Sequence, residues 1–248
     1  MRVAVITPYY RETPDVLRQC LESVQVQTSA CTHFVVADGY PQNWLGGFPV
    51  EHITLPKAHG DNGNTARSIG SLSAMNQGFD AIAYLDADNW FYPEHIEAMI
   101  FLHQESGAIV GTSTRSVHRL DGSLMYVDES ESDGSVYADT SCLFLTRPAF
   151  KLLPAWAMMP KEMGPLCDRI FWELIQGNGY TCAHYPLPTV AFRTQYQVHY
   201  EAIGEVPPGG AKGREATYQA YEWWQSLPAD ERHRWLIHLG LPDAGCHP

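Results

Sequence analysis

The sequence has few basic residues, no long apolar run and no paired cysteines, and each absence excludes a class of protein. Lysine and arginine number 16 against 28 aspartate and glutamate residues, which gives a formal net charge of −12 and argues against a broad surface for a polyanion such as nucleic acid. Every apolar run is far shorter than the ~20 residues of a membrane-spanning helix. The amino terminus lacks a secretory pattern, so the sequence predicts a cytoplasmic protein.

The six cysteines are scattered through the chain, without a CxxC pair or a His–Cys zinc spacing. They are therefore predicted to be free thiols, several of them packed as small apolar side chains, rather than disulfides or zinc ligands. These residues are Cys20, Cys31, Cys142, Cys167, Cys182 and Cys246. No repeat or low-complexity segment is present. Hydrophobic residues make up 45% and charged residues 18%, a composition typical of a folded globular protein.

Short apolar segments alternate with helical patterns through the first half of the chain, which predicts a parallel sheet with right-handed crossovers. Strands are expected at 3–6, 34–37, 50–55 and 82–85, and helices after Thr13 and Asn64, both of which are suitable N-caps. The second half differs. It contains a predicted hairpin around Asp121 and Gly122, a strand at 142–145, a helix over about 165–176, a Gly/Pro loop at 207–213 and two closing helices at about 215–226 and 229–239.

Two aspartates, Asp86 and Asp88, follow the predicted strand at 82–85. Such a pair could share a hard divalent cation, which prefers oxygen ligands and often completes its shell with substrate phosphates. The alternative is that Asp88 or Asn89 caps a helix that starts near Pro93. Two more polar residues fall at the same predicted edge, Thr7 and Asp38. Open α/β sheets bind ligands at the carboxyl edge of their strands.

Five separated segments resemble motifs of the nucleotide-sugar glycosyltransferases with the GT-A fold, most closely those of glycosyltransferase family 2. They are VITPYY at 5–10, LESVQVQT at 21–28, FVVADG at 34–39, NGNTARSIG at 62–70 and YLDADN at 84–89. Their shared order is more specific than any one of them. The resemblance implies a mixed, mostly parallel, Rossmann-like α/β sheet flanked by helices, with a C-terminal helical extension. It also implies one domain over 1–248, with a nucleotide-sugar half at 1–110, an acceptor half at 111–203 and a loop with helices at 204–248.

The resemblance assigns roles on the donor side. The implied binding residues are Thr7, Pro8, Tyr9, Asp38, Arg67, Asp86, Lys212 and Arg214. Asp38 would hold the base of a UDP- or GDP-sugar, and Arg67 would pair with a phosphate or with the acidic cluster. Asp86 and Asp88 form the DxD motif and would bind Mg²⁺ or Mn²⁺. Two of these roles have a structural alternative. Arg67 could be a surface residue of its helix, and the loop with Lys212 could be a solvated linker rather than a lid over the diphosphate.

On the acceptor side the segment SCLFLTRPAF at 141–150 resembles a family strand, and Cys167 with Asp168 falls where the family usually has a Glu-Asp pair at the start of a helix. Asp168 would be the general base for an acceptor hydroxyl, or simply a first-turn helix acid. Cys167 replaces a glutamate that is common in the family, which puts the acceptor contacts in question. His199 is a third metal-ligand candidate, although most single histidines bind no metal.

These assignments predict an inverting, metal-dependent transfer of a sugar to an acceptor hydroxyl. A non-catalytic nucleotide-sugar-binding module and a sugar-1-phosphate nucleotidyltransferase are the alternatives, although the second lacks its Gly-rich opening here. A phosphatase of the aspartyl-phosphate type is disfavoured because it needs threonine or valine two residues after the second aspartate, and Trp90 occupies that position after Asp88. The acceptor is not specified, and a lipid-linked one at the inner membrane face is compatible. The aromatic and methionine residues of the second half are expected to be core rather than an acceptor groove.

Overall fold

The first half of the chain forms the parallel part of one sheet. The computed structural model describes residues 1–129 and 134–242. Strands β1 (Val3–Tyr9), β2 (Cys31–Ala37), β3 (Val50–Thr54) and β4 (Ala81–Tyr84) pair in the order β3-β2-β1-β4. Helices α1 (Pro14–Gln25) and α2 (Asn64–Asn76) connect them. β1 is buried along its whole length, as expected for the apolar central strand of a parallel sheet covered on both faces.

The second half adds strands that run in both directions. They are β5 (Trp90–Phe91), β6 (Val110–His118), β7 (Leu124–Asp128), β8 (Leu143–Thr146) and β9 (Cys182–Arg193). β8 lies antiparallel between β4 and β6, β9 runs parallel to β6, and β7 pairs with β6 in the predicted hairpin. The hairpin turn places Gly122 at φ +87°, where glycine meets no steric penalty. The predicted fold class, a mixed α/β sheet flanked by helices, is confirmed.

The remaining helices surround this sheet. They are α3 (His95–Ser106), α4 (Ala155–Met158), α5 (Cys167–Gly177), α6 (Gln197–Glu201), α7 (Glu215–Ser226) and α8 (Ala229–His238). Trp224 and Leu236, from the two last helices, share a core cluster with Trp156 and Leu174. The core expectation holds for Trp156 and Trp224, whereas Tyr218 and Tyr221 are more than half exposed. No helix in the described ranges is long and apolar enough to span a membrane.

Two local expectations concern a helix cap and the cysteines. Asn64 is not the N-cap of α2, because Gly63 holds that position at φ +78° and the Asn64 side chain instead accepts a hydrogen bond from Arg67. Cys20 and Cys142 are buried with apolar neighbours, as expected of small core residues. Cys246 lies outside the described residues.

Candidate active site

Asp86 and Asp88 lie just beyond the carboxyl end of β4, and the helix-cap alternative for this segment is wrong. Helix α3 begins at His95, its N-cap is Glu94, and no side chain among the described residues caps it. Asn89 instead bridges to the second half of the chain, where its amide donates to Ser141 Oγ and its carbonyl oxygen accepts from the Arg193 backbone. This segment is therefore held as a loop at the sheet edge, where both carboxylates line a cavity.

Arg67 is buried beneath the acidic pair rather than spread over the helix surface. Only 2% of the residue is exposed, its Nη2 lies 2.7 Å from Asp86 Oδ1, and its Nη1 donates to Asn64 Oδ1 at 2.8 Å. The guanidinium also stacks 4.8 Å from the ring centroid of Trp156. An arginine fixed on three sides orients Asp86 and offsets part of its charge. The surface-residue alternative for Arg67 is wrong.

Two cavities of about 440 Å³ each flank Asp86. The Asp38 cavity is bounded by Pro8, Tyr9, Asp38 and Asp88 from the parallel half of the sheet. The Asp168 cavity extends to the other side, between the N-terminal ends of α5 and α7. Five residues line both, and they are Asn62, Asp86, Phe192, Tyr196 and Lys212. The two cavities therefore meet at the carboxylate of Asp86.

In the Asp38 cavity, Pro8, Tyr9 and Asp38 are brought together as the sequence predicts, but Thr7 is not. Thr7 is fully buried, and its hydroxyl lies 2.8 Å from His33 Nε2 and 3.8 Å from Cys20 Sγ. Its side chain is therefore occupied inside the protein and does not line the cavity. Asp38 accepts hydrogen bonds from the His59 backbone at 3.0 Å and from its ring at 2.7 Å.

In the Asp168 cavity, the half-buried Asp168 lies in the first turn of α5 and accepts a hydrogen bond from the Arg169 backbone at 2.8 Å. Burial, together with the negative charge of Asp139, raises the pKa of Asp168 to about 6. A carboxylate with such a pKa is ionised at neutral pH and is a stronger base than an ordinary aspartate. The cavity wall also includes Cys167, and burial raises the pKa of its thiol to about 12, so Cys167 does not supply a second carboxylate-like charge.

His199 lies in the Asp168 cavity, not in the Asp38 cavity that Asp88 lines. It is buried, and its Nδ1 lies 2.6 Å from the Thr194 hydroxyl. Within the described residues no three His, Cys, Asp or Glu side chains converge as a metal-binding group. His199 therefore shares the Asp168 cavity with Asp86 but not with Asp88, and the structure does not bring the three side chains together as one ligand set.

The segment with Lys212 and Arg214 is tied to the site. Lys212 lines both cavities and Arg214 lines the Asp168 cavity. The Lys212 backbone exchanges hydrogen bonds with residues beside the cavities, since its N–H donates to Gln195 and its carbonyl accepts from Gln197. A linker surrounded only by solvent would not form these two backbone hydrogen bonds with the segment at Gln195 and Gln197.

Several residues at the site were not identified from the sequence. The hydroxyl of Ser141 accepts hydrogen bonds from the Asp86 N–H and from Asn89. Arg193 donates to the Asp88 carbonyl, and Gln195 donates weakly to its carboxylate at 3.3 Å. Arg115, buried on β6, contacts Asp128 and Asp139 at 2.8 Å each. A single arginine inside an otherwise uncharged strand was the one available signal for this buried ion network.

The residues present fit a hard divalent cation. Burial, with the negative charges of Asp86 and Glu12, raises the pKa of Asp88 to about 7, which marks a carboxylate that would gain from a nearby positive charge. The Asp38 cavity holds an excess of acids, lined by Glu12, Asp38, Asp61, Asp86 and Asp88 against Arg193 and Lys212. A diphosphate would be repelled there unless a cation offset the charge. Two carboxylates completed by phosphate oxygens and water form a typical Mg²⁺ donor set.

Sequence comparison connects this arrangement to known proteins. Residues 4–129, just over half of the chain, match the model of the family described as Glycosyl transferase family 2. The succinoglycan biosynthesis protein ExoW of Rhizobium meliloti (strain 1021) is 32% identical over 102 residues, which are 38% of this chain and 32% of ExoW. The chain thus matches about a third of the length of that curated relative.

Structural comparison gives the same result for the fold. S. aureus TarS superposes with a TM-score of 0.59 and 12% identity over 96% of this chain and 43% of TarS. TarS 1–349 in complex with UDP-GlcNAc superposes with a TM-score of 0.60 and 12% identity, over 96% of this chain and 71% of that one. At such identity the likeness concerns the fold alone. The family match, which covers the segments that carry Asp38, Arg67, Asp86 and Asp88, shows that this chain belongs to glycosyltransferase family 2.

Proposed function

We propose that the protein transfers a sugar from a nucleoside-diphosphate sugar to an acceptor hydroxyl, with a divalent cation and with inversion at the anomeric carbon. The observation that carries this proposal is the meeting of two cavities at Asp86, one with Asp38 and Asp88, the other with Asp168. Such an arrangement suits a donor that lies across the junction and an acceptor that approaches from the side of Asp168. The structures of TarS with UDP and with UDP-GlcNAc favour a UDP-sugar as the donor to test first.

On the donor side, Pro8, Tyr9 and Asp38 would contact the base, and Asp38 would accept a hydrogen bond from a base N–H. Asp88 and Asp86 would hold Mg²⁺ or Mn²⁺, which when bound offsets charge on the diphosphate leaving group. Arg67 would act through Asp86, because it fixes that carboxylate from below. Lys212, exposed where the two cavities meet, would add a direct contact to the diphosphate.

On the acceptor side, Asp168 would take the proton from the acceptor hydroxyl as its oxygen forms a bond to the anomeric carbon and the diphosphate departs. In-line attack from the face opposite to the leaving group inverts the anomeric centre. Asp168 lines the cavity on the far side of Asp86 from Asp38, which favours this direction of approach. The proposed division of labour between the halves is not strict, since Phe192 and Gln195 also line the Asp38 cavity.

The test is release of UDP from UDP-sugars, measured with Mn²⁺ and with EDTA, for the parent protein and three variants. Asp88→Ala should lose Mn²⁺-dependent UDP binding and release together, because one of two carboxylate ligands is removed. Asp168→Asn should still bind UDP, but its rate of UDP formation from UDP-sugars should be lower by a factor of about 10² to 10⁴. Asp230→Asn, an exposed aspartate on α8, is the matched control and should behave as the parent. Parent-like turnover in Asp88→Ala would reject the metal assignment.

A binding module without catalysis gives a different pattern. Such a protein would bind UDP and UDP-sugar without either transfer or hydrolysis, and Asp168→Asn would change nothing. A nucleotidyltransferase would instead form a nucleotide sugar from a nucleoside triphosphate and a sugar phosphate. UDP binding, UDP-sugar hydrolysis and nucleotide-sugar formation can all be measured with the same purified protein.

A further inference from the structure

The two cavities carry opposite charge. Acidic residues dominate the lining of the Asp38 cavity, whereas the Asp168 cavity is lined by Arg67, Arg115, Arg169, Lys212 and Arg214 against Asp86, Asp139 and Asp168. This basic lining occurs in a chain whose formal net charge is −12. A local excess of one charge inside a concave site raises the concentration of ligands with the opposite charge. The Asp168 cavity therefore favours a negatively charged ligand.

Two of the five basic residues that line the Asp168 cavity are already neutralised by neighbouring acids. Arg67 is paired with Asp86, and Arg115 is paired with Asp128 and Asp139. Lys212 also borders the Asp38 cavity, so a donor diphosphate accounts for it. Arg169 and Arg214 line the Asp168 cavity but not the Asp38 cavity, so a diphosphate in the Asp38 cavity does not account for them.

Arg169 is well placed for a ligand. Its guanidinium stacks 4.7 Å from the ring centroid of Tyr137, which holds it at the cavity wall, and it forms no ion pair with an acid in residues 1–129 or 134–242. A planar guanidinium held by an aromatic ring can still offer two parallel N–H donors to a carboxylate or phosphate. Tyr137 thus orients Arg169 without neutralising its charge.

The helix ends add to this field. Cys167, Asp168 and Arg169 are the first residues of α5, and Arg214 precedes the first residue of α7. Within the described ranges, the N-cap residues Leu166 and Arg214 make no side-chain cap hydrogen bond, although Asp168 accepts from the Arg169 N–H in the first turn of α5 and Glu215 lies in the first turn of α7. Helix N-termini carry a partial positive charge and N–H groups that point at a ligand. Two such ends at one cavity reinforce the two arginines.

We propose that the acceptor carries an anionic group, a carboxylate or a phosphate, close to its reacting hydroxyl, and that Arg169 and Arg214 bind this group at the N-terminal ends of α5 and α7. The inference rests on the proposed function, because it takes Asp168 as the base and the Asp168 cavity as the acceptor side. It names the chemical class of acceptor, an acidic saccharide or a sugar phosphate, which the fold does not specify.

The test is equilibrium binding by calorimetry with UDP and Mn²⁺ at saturation, so that the donor cavity is filled. Two matched ligand pairs separate the charge from the sugar: trigalacturonate with its methyl ester, and glucose 6-phosphate with glucose. We expect at least one acidic ligand to bind about tenfold or more tightly than its neutral partner, since hydrogen bonds to charged groups are worth this much. The pair that shows the larger ratio identifies carboxylate or phosphate as the preferred group.

Variants locate the effect. Arg169→Gln should reduce the acid-to-neutral ratio by about tenfold, and Arg169→Lys, which keeps the charge but not the fork, should reduce it less. Arg234→Gln on α8 removes the same charge from an exposed site and should leave the ratio unchanged. Equal binding of acidic and neutral ligands, or equal ratios in Arg169→Gln and Arg234→Gln, would overturn the proposal.

The failure of this inference is distinguishable from failure of the proposed function. If the protein does not bind UDP and does not release it from a UDP-sugar, the proposed function itself is wrong. If UDP binds but excess UDP displaces the acidic ligand, the basic residues serve the donor diphosphate, and only the inference about the acceptor is overturned.

Discussion

At the scale of single residues, the half-buried position of Asp168 leads us to expect that kcat/KM depends on pH. A general base acts in its ionised form, and burial raises the pKa of Asp168 to about 6. Since a raised carboxyl pKa leaves the group protonated below that value, kcat/KM should fall as the pH decreases through about 6 and be level near neutrality. Initial rates of UDP release between pH 5 and 8, at saturating Mn²⁺, measure this acid limb.

The Asp168→Asn variant provides the comparison. It should lose the acid limb assigned to Asp168 together with most of the rate, by about 10² to 10⁴, because an amide cannot accept the proton. UDP affinity separates a lost base from a damaged donor site. An acid limb of the same midpoint in Asp168→Asn would mean that another group titrates, and an unchanged turnover number would reject the base role.

At the scale of elements, α2 is held against the sheet by a glycine that its helical pattern alone does not explain. A Cβ at Gly70 would lie 2.8 Å from Ile6 Cγ2 and 2.9 Å from Val36 Cγ2, and β-branched side chains have little freedom to move. Gly70→Ala should therefore destabilise the protein by about 1–3 kcal/mol through overpacking, which exceeds the ~1 kcal/mol that alanine gains in a helix. Urea unfolding measures the change.

The control for Gly70 is a glycine at which an added Cβ would meet no other atoms. Gly46, in the 3-10 helix at Asn43–Gly47, has no atom within 4 Å of an added Cβ, so Gly46→Ala should change the free energy of unfolding by no more than about 0.5 kcal/mol. Similar losses in the two variants would mean that close packing of α2 on β1 and β2 is not the cause. The approach of α2 matters to the site because this helix carries Arg67.

The elements that bear the motifs were predictable because their signals are local. The apolar run of each of the strands β1, β2 and β4, and the helical spacing of α2, is contained in a short stretch of consecutive residues. The positions of Asp38, Arg67 and Asp86 therefore followed from the predicted strand and helix ends. The orientation of Thr7 was not available in this way, because alternation places it on the same strand face as Tyr9, which lines the cavity, while its contacts with His33 and Cys20 arise only in the fold.

Long-range arrangements could not be read in the same way. Arg115, Asp128 and Asp139 come from three different segments, and Ser141 reaches Asp86 across 55 positions of sequence. Nothing in the local pattern of these segments states which of them will meet. The charge of the Asp168 cavity likewise depends on how α5 and α7 converge, so the residues were visible in the sequence but the site was not.

At the scale of the whole molecule, the opposite charges of the two cavities determine how ligands should affect stability. The Asp38 cavity is rich in acids, so UDP alone should bind weakly and UDP with Mn²⁺ should bind well. A ligand that binds only the folded state stabilises it by ~2.7 kcal/mol at a hundred times its Kd. For a chain of 248 residues this corresponds to an increase in Tm of roughly 5–10 °C.

Thermal unfolding with UDP, Mn²⁺, both together, and UDP with EDTA measures this dependence. The increase for the pair should exceed the sum of the separate increases, because each ligand offsets the charge that repels the other. Uridine, which has the base but no diphosphate, should show no such synergy, and Asp88→Ala should lose it while Asp230→Asn keeps it. If UDP raises the Tm equally with Mn²⁺ and with EDTA, the acidic cavity binds the nucleotide without a cation, and Lys212 with Arg193 must then neutralise the diphosphate.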